Sequence, residues 1–302
     1  MIPSSSKGHQ RYRLCQGAGH VMAMIILALL TPRLASGRVG PPTATSTRLF
    51  TQAQQVRDLS AEQANRGYPV RLRGAVTFVD DFGFFFQDAT AGIAVMASGR
   101  SHDLQAGQFI ELEGVTECPD FAPQISKVRI RHLGSIPLPA AKRLTFERLA
   151  STEEDSQWAE IEGIVRAVVR DEISVPPAVD ATPALRVAVS GGDVLARVPW
   201  MSEAEAARFI DCRVRVRGAV GAIYNQRNMW VGVRLFVPNG AQLKILEPAS
   251  SDPFAIPAQS VFSVLSFNLR GSCGHRIRLQ GIVTLQRLGR ALYVNDETGS
   301  IT

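Results

Sequence analysis

Short segments in which apolar and polar residues alternate recur along most of the chain. In Val70–Arg73 the two apolar side chains share one face and the two arginines share the other, and Arg213–Gly218 repeats the pattern. Alternation with a period of two predicts strands that are buried on one face only. Further strands are predicted at Gln108–Glu117 and Gln124–Leu133. The expected fold class is therefore all-β.

The strand pattern is also an internal repeat. Val70–Thr77 and Ile277–Thr284 are identical at five of eight positions, and an Asp-x-Thr sequence follows each, at Asp88–Thr90 and Asp296–Thr298. A more divergent copy, Trp158–Arg166, lies between them. A repeat of this kind predicts several modules of one fold.

A short stretch that is predicted to be helical precedes each copy, at Gln54–Leu59, Thr145–Leu149 and Ala258–Leu265. We therefore expect three modules: module 1 at 48–137, module 2 at 138–248 and an incomplete module 3 at 256–302. By comparison with module 1, module 3 is expected to lack its last three strands. A longer parent protein is expected for the same reason.

Glycines within the predicted strands indicate a closed sheet. They are Gly74, Gly163, Gly218 and Gly281. Such glycines are expected where a strand bends or bulges to close a small barrel. Module 2 adds a predicted helix at Glu203–Phe209, and Ser202 and Glu205 have the spacing of a capping box. Five strands with a helix between the third and fourth predict tandem OB-fold-like five-stranded barrels. A β-sandwich is the alternative.

The first 37 residues have the order of an export signal. A basic stretch that ends at Arg13 precedes ten apolar residues, Val21–Leu30, and the small residues Ala35–Gly37 follow. Ten residues are too few to span ~30 Å of hydrocarbon, which excludes a polytopic membrane protein. We expect residues 1–37 to be a signal peptide or an uncleaved anchor helix and residues 38–47 to be a linker. The protein is then exported, at the periplasmic face of the inner membrane or anchored to it.

Composition limits the classes of partner. Hydrophobic residues make up 45% of the chain and charged residues 20%, which excludes a wholly disordered protein. The net charge is +6, but the first 37 residues hold four basic residues and no acid. The remainder has 29 basic and 27 acidic residues, a net charge of +2. Tight binding of nucleic acid is therefore not expected, because phosphate neutralisation dominates such affinity.

Motifs for catalysis or metal binding are absent from the sequence. It has no GxSxG elbow, HExxH helix or phosphate-binding GxxxxGK[ST] loop. Asp81–Gly83 is predicted to be a hairpin turn, and Glu153–Asp155 to be a solvated acidic cap. We expect no catalytic residue, metal site or cofactor here, and hence no enzyme. Three cysteines follow the predicted signal: Cys118, Cys212 and Cys273. The sequence allows either one disulfide with a spare thiol or three buried thiols.

Two groups of side chains are candidate contacts for a ligand or partner. Phe84 and Phe86 share one face of a predicted strand, where OB-folds stack bases or sugars; filling of the barrel interior is the alternative. A loop between the last two predicted strands of module 2 combines aromatic, amide and guanidinium groups. Its candidates are Tyr224, Asn225, Arg227 and Trp230. The strand arginines are interpreted as solvated faces, many of them paired with acids; they are Arg71, Arg73, Arg213, Arg215, Arg217 and Arg278.

Several stretches together carry a family resemblance: Arg66–Gly74, Phe86–Thr90, Asp155–Gly163 and Asp252–Ala255. Over roughly 48–302 the chain resembles the extracytoplasmic sensor region of bacterial membrane-bound sensor histidine kinases with tandem OB-like modules. The resemblance implies a sensory or interaction region of a two-component signal-transduction receptor, with an unidentified extracytoplasmic ligand or protein partner and homodimerisation through the parent receptor. It carries over no phosphoacceptor histidine and no ATP-binding residue. The alternative is an exported OB-fold protein that binds nucleic acid or saccharide; an enzyme with its catalytic domain beyond residue 302 is a third.

Overall fold

The computed structural model describes residues 48–97, 103–119, 122–171, 182–224, 227, 229–266 and 275–302. The predicted export segment and linker, Asn225 and Cys273 lie outside these residues. The helices are short: α1 Ala53–Arg57, α2 Ala61–Ala64, α3 Phe146–Ala150, α4 Glu203–Ala207 and α5 Val261–Leu265. The rest of the regular structure is strand, so the all-β prediction is confirmed. In the described part of the chain no helix is both long and apolar enough to cross a bilayer.

Module 1 is a closed barrel of five strands. They are β1 Pro69–Val79, β2 Gly83–Gln87, β3 Gly92–Met96, β4 Gln108–Glu117 and β5 Gln124–Ser135. The order around the barrel is β1-β2-β3-β5-β4, with β3 and β5 parallel and the other pairs antiparallel. This is the strand order of an OB-fold.

Module 2 repeats the order with two added strands. Its strands are β6 Lys142–Arg143, β7 Trp158–Asp171, β8 Thr182–Val189, β9 Gly192–Arg197, β10 Arg213–Tyr224, β11 Trp230–Phe236 and β12 Leu243–Glu247. A 3₁₀ turn at Gly240–Gln242 precedes β12. β7 pairs with β8, β8 with β9, β9 in parallel with β11, β11 with β10, and β10 with β7. The predicted helix lies between the third and fourth strands of this ring, with its capping box, although it ends at Ala207 instead of Phe209.

The alternation of apolar and polar residues along the strands explains which side chains fill the interiors of both barrels. In β1, Val70 and Leu72 are 2% and 0% exposed, whereas Arg71 and Arg73 point to solvent. Each of the two modules has its own apolar cluster of buried side chains. Cys118 is buried in module 1 and Cys212 in module 2, and no disulfide joins them.

Two of the strand glycines, Gly74 and Gly281, lie at equivalent positions of the repeat. Neither position has room for a side chain. A Cβ at Gly74 would overlap the carbonyl oxygen of Gln87, and a Cβ at Gly281 would overlap that of Asn295. Neither glycine has a positive φ, and the irregularity in β1 lies later, between Val76 and Phe78. The predicted bend is therefore a close approach of two strands and not an unusual backbone conformation.

Module 3 contains the beginning of the same fold. Its strands are β13 Ala258–Gln259, β14 Arg278–Leu279, β15 Ile282–Arg287, β16 Ala291–Asp296 and β17 Gly299–Ile301. β15, β16 and β17 form an antiparallel meander, with the register irregularity of β1 repeated between Val283 and Leu285. β17, which begins at Gly299, corresponds to β3 of module 1. The expectation that module 3 lacks its last three strands is therefore wrong for this one.

The Asp-x-Thr turn has the same function in modules 1 and 3. The Asp88 carboxylate accepts hydrogen bonds from the backbone N–H groups of Thr90 and Ala91, and its other oxygen accepts one from Ala53 at the start of α1. Asp296 accepts in the same way from Thr298, Gly299 and Val261 at the start of α5. The turn thus caps a helix that lies more than thirty residues earlier in the sequence.

Candidate functional site

The two phenylalanines that sequence reasoning proposed as ligand contacts are in the interior of module 1. Phe84 is 3% exposed and Phe86 is fully buried, and both pack in the apolar cluster of the barrel. They face inward because alternate residues of β2 point into the barrel. The prediction of a binding surface at Phe84 and Phe86 is wrong, and the alternative, barrel filling, is correct.

The outward residue between them lies at a junction with module 2. Phe85 and Phe78 pack against Phe236 of β11, with ring centroids 4.8 and 5.1 Å apart. Trp158 and Ala219 complete this small apolar cluster. OB-folds bind their ligands on the face of the second and third strands. In module 1, module 2 therefore covers part of that face.

Polar side chains fix the same junction. The Arg57 guanidinium donates to the carbonyl oxygens of Gly92, Asp155 and Glu153, at 3.2, 2.6 and 2.7 Å. Burial lowers the pKa of Arg57 from its usual value, with nearby carboxylates opposing the shift. Gln87 accepts from the backbone N–H of Trp158 at 2.8 Å. The modules are thus joined by hydrogen bonds as well as by apolar contact.

The prediction of a solvated acidic cap at 153–155 is correct for Glu153, which is exposed, and wrong for Glu154 and Asp155, which are buried and half-buried. Glu154 is buried and forms ion pairs with Arg148 and Lys142. Burial opposes its ionisation, but those hydrogen bonds and charges bring its pKa below the usual value. Asp155 is half-buried, and desolvation raises the pKa of its carboxyl above the usual 3.8.

A cavity of about 180 Å³ opens at the junction beside Asp155. Module 1 contributes Ala94 and the 122–124 segment, where the β4–β5 loop ends. Module 2 contributes Thr152, Asp155 and Tyr224, and Tyr224 ends β10 just before the β10–β11 loop. Residues 122–124 of module 1 and the end of β10 in module 2 therefore lie at the same cavity.

The β10–β11 loop joins the strands that sequence reasoning assigned to it. Of its candidates, Tyr224 lines the cavity, Arg227 is exposed, and Trp230 is 38% exposed at the start of β11. Asn225 lies outside the described residues. Two apolar neighbours that the sequence analysis did not single out are more exposed still, Met229 at 52% and Val231 at 49%.

The second and third strands of module 2 also present an outer face. On β8, the exposed Arg186 lies between the buried Leu185 and Val187. It is opposite Leu195 of β9, which is in turn opposite Arg234 of β11. Arg186 forms no ion pair with any residue in the described ranges. Sequence reasoning missed Arg186, although its place between two apolar residues of a strand was a readable signal.

Most of the strand arginines are paired with glutamates, as predicted. The module 1 pairs are Arg71–Glu113, Arg73–Glu111 and Arg131–Glu111, and the module 2 pairs include Arg215–Glu162, Arg217–Glu160 and Arg213–Glu247. Hydrogen bonds from Arg131 and Arg73 lower the pKa of Glu111. Arg278 differs, since it donates to the carbonyl oxygen of Phe254. The paired charges largely cancel on these faces.

Metal-ligating side chains do not gather anywhere in the part of the chain that the structure describes: no group of three or more His, Cys, Asp or Glu has the required proximity. Asp81–Gly83 forms the β1–β2 turn, in which the Asp80 carboxylate accepts from the N–H groups of Phe82 and Gly83. The tripeptide is therefore the hairpin turn that the sequence predicts.

Comparison with known proteins adds structural likenesses of low score. No protein-family model and no curated protein sequence matches the chain. The hypothetical protein ygiW from E. coli is 21% identical, over 28% of this chain and 90% of that one, with a TM-score of 0.23. A murine DNA-binding protein bound to double-stranded DNA is 8% identical, over 60% and 99%, with a TM-score of 0.31.

A multidomain protein with nucleic-acid-binding domains from Streptococcus pneumoniae is 9% identical, over 57% of this chain and 46% of that one, with a TM-score of 0.16. Likenesses at these scores carry no argument about what this chain binds. The assignment of OB-like modules rests on the strand order of the chain itself.

Proposed function

We propose that this chain is a non-catalytic binding region built of tandem OB-like modules, and that module 2 presents its ligand surface. The outer face of β8 and β9 carries this proposal. In module 1 the corresponding face is partly covered by Trp158, Ala219 and Phe236. In module 2 the face carries the exposed Arg186, beside Leu195.

Single-stranded nucleic acid is the ligand class that this surface fits best. The Arg186 guanidinium supplies a positive charge for a phosphate, and Trp230 offers an indole face on which a base stacks. Such a surface needs no catalytic group.

The affinity of this surface is expected to be low. The Arg–Glu pairs on β7 and β10 cancel most of the charge of the neighbouring strands. Only a few phosphates would be neutralised, and we expect a dissociation constant of roughly 10–100 µM at physiological salt, in the range of non-specific binding. The net charge of +2 for residues 38–302 leads to the same expectation.

The test is a titration of a labelled single-stranded oligonucleotide with the full chain. Arg186→Ala is expected to weaken binding about fivefold, the effect of one lost charge-assisted contact. Arg71→Ala is the matched control, because this exposed strand arginine already pairs with Glu113. Equal affinity of Arg186→Ala and the unmodified chain would refute the proposed surface. Submicromolar, steeply salt-dependent binding would show that the charges do not cancel as argued.

A second candidate is a sensory region of an exported receptor, favoured by the charged, apolar and small-residue order of residues 7–37. In this proposal the binding surface of module 2 receives an extracytoplasmic signal. A reporter that is active only outside the cytoplasm, fused to residues 1–45, is expected to be active. Activity of a cytoplasm-restricted reporter instead would exclude this role.

A further inference from the structure

The cavity at the junction of modules 1 and 2 differs in chemistry from the arginine-bearing face. Its apolar wall consists of Ala94, Ala122 and Pro123 from module 1. Its polar groups are Gln124 from module 1 and Thr152, Asp155 and Tyr224 from module 2. Apolar surface together with a few hydrogen-bonding groups is the composition of a small-ligand site.

Several polar groups at the cavity have hydrogen-bonding capacity to spare. The Thr152 hydroxyl makes no hydrogen bond with a residue inside the described ranges. Gln124 uses its amide nitrogen to donate to Glu117 at 2.7 Å, which leaves its carbonyl oxygen as an acceptor. The Asp155 oxygens accept one hydrogen bond each from the described residues, from Ala222 N–H and from the Ser156 hydroxyl, and an oxygen of a carboxylate accepts two.

The charge at the cavity favours an uncharged ligand. Arg57 donates to the Asp155 backbone at 2.6 Å, and the positive charges of Arg57 and Arg234 act on the Asp155 carboxyl. The positive charges of Arg57 and Arg234 near Asp155 disfavour a cationic ligand, and the Asp155 carboxyl at the cavity disfavours an anionic one. A group that both donates and accepts hydrogen bonds, such as a hydroxyl, suits the mixture of acceptors and hydroxyls.

The cavity also has the size of one small ring. The volume of the cavity is about 180 Å³. This is far below the 300–1,000 Å³ of pockets that hold drug-sized ligands. We propose that the junction of modules 1 and 2 is a binding site for a small, uncharged, polyhydroxylated ring. Because the walls come from two modules, a bound ring would hold the modules together.

The first experiment is saturation-transfer NMR of the full chain with myo-inositol and with glucose as probes. Both probes are expected to bind, and Thr152→Val is expected to weaken binding about fivefold through loss of one hydroxyl contact. Thr284→Val is the matched control, since Thr284 is exposed in module 3 and far from the cavity in sequence. The variant Asp155→Asn keeps an oxygen that accepts from the Ala222 N–H group and replaces the other carboxylate oxygen. It is designed to change the cavity while keeping this hydrogen bond of the fold.

Hydrogen exchange gives a second readout that does not depend on a variant. A bound ring is expected to slow exchange at 122–124 and at 222–224 together, because it contacts both modules. Absence of binding of both probes at millimolar concentration would overturn the proposal, as would binding that Thr152→Val leaves unchanged. Preferential binding of ethanolamine, a cationic probe, would show that the site takes amines and contradict the charge argument. The oligonucleotide titration with Arg186→Ala addresses a different surface, so the two proposals fail separately.

Discussion

Modules 1 and 3 share a sequence repeat but differ in what covers their strands. Val76 and Val283 are each the seventh residue of the repeated segment. Val76 is fully buried in module 1, whereas Val283 in module 3 is 53% exposed. The Asp-x-Thr turn nevertheless makes the same hydrogen bonds in both. The helix cap is therefore a local property of the repeat, whereas burial depends on strands β4 and β5, which complete the barrel of module 1.

The largest expected effect is steric. In Gly74→Val the new side chain overlaps the Gln87 carbonyl and the Phe86 ring. We expect a loss of roughly 3 kcal/mol or more in the free energy of unfolding of module 1, measured by chemical denaturation with a module 1 probe. Gly232→Ala in β11 is the contrasting control, because Gly232 has no positive φ and the nearest atom that its Cβ would meet is Ile223 Cδ1, at an ordinary contact distance of 3.6 Å. An unchanged denaturation midpoint in Gly74→Val would refute the close approach.

A matched pair of valines tests burial directly. Val76→Ala removes two buried carbon groups and is expected to cost about 2 kcal/mol of module 1 stability. Val283→Ala at the equivalent exposed position is expected to change module 3 stability by less than about 0.5 kcal/mol. Differential denaturation of the two variants measures both values. Equal losses would mean that the face of module 3 is covered in solution.

The Asp-x-Thr cap, which makes the same hydrogen bonds in modules 1 and 3, predicts that loss of its aspartate lowers stability in either module. Asp88→Ala removes the acceptor of the Ala53 N–H group and of the turn, and we expect a loss of about 1 kcal/mol, typical of a helix cap. Hydrogen exchange of the Ala53 amide should accelerate. Thr51→Ala is a control in the same segment, because the Thr51 side chain takes no part in the cap. Unaltered exchange at Ala53 would contradict the capping function of Asp88.

The smallest effect concerns pH and module 3. Hydrogen bonds from Thr298 and from the Val261 N–H group lower the pKa of Asp296 from 3.8 to about 2. A lowered pKa in the folded state gives stability that is fully present above pH 3.8 and is lost as the pH falls through about 2. The NMR shift of the Val261 amide should follow this titration, with Thr298→Val moving its midpoint upward. A midpoint near 3.8 in the unmodified chain would contradict the cap in module 3.

The candidate site shows which features could not be predicted from the sequence. Alternation placed Phe84 and Phe86 on one face, but it could not say which face was inside; closure of the barrel by β4 and β5 decided that. Glu154 and Asp155 resembled a solvated cap in the sequence because two of their partners, Lys142 and Ala222, are brought there by the folded chain. The cavity itself is lined by residues from Ala94 to Tyr224, positions that are 130 residues apart in the sequence.

By itself, the sequence determined the strands, the repeat, the capped turns and the pairing of strand arginines with glutamates, since each depends on spacing within or between neighbouring strands. Only the tertiary structure decided that module 2 covers part of the aromatic face of module 1, that Arg186 stays exposed, and that 122–124 and Tyr224 lie at one cavity with Asp155. The physical reason is the distance along the sequence between interacting residues. Periodicity within a strand specifies which side chains share a face, whereas burial and desolvation depend on what another module places against that face.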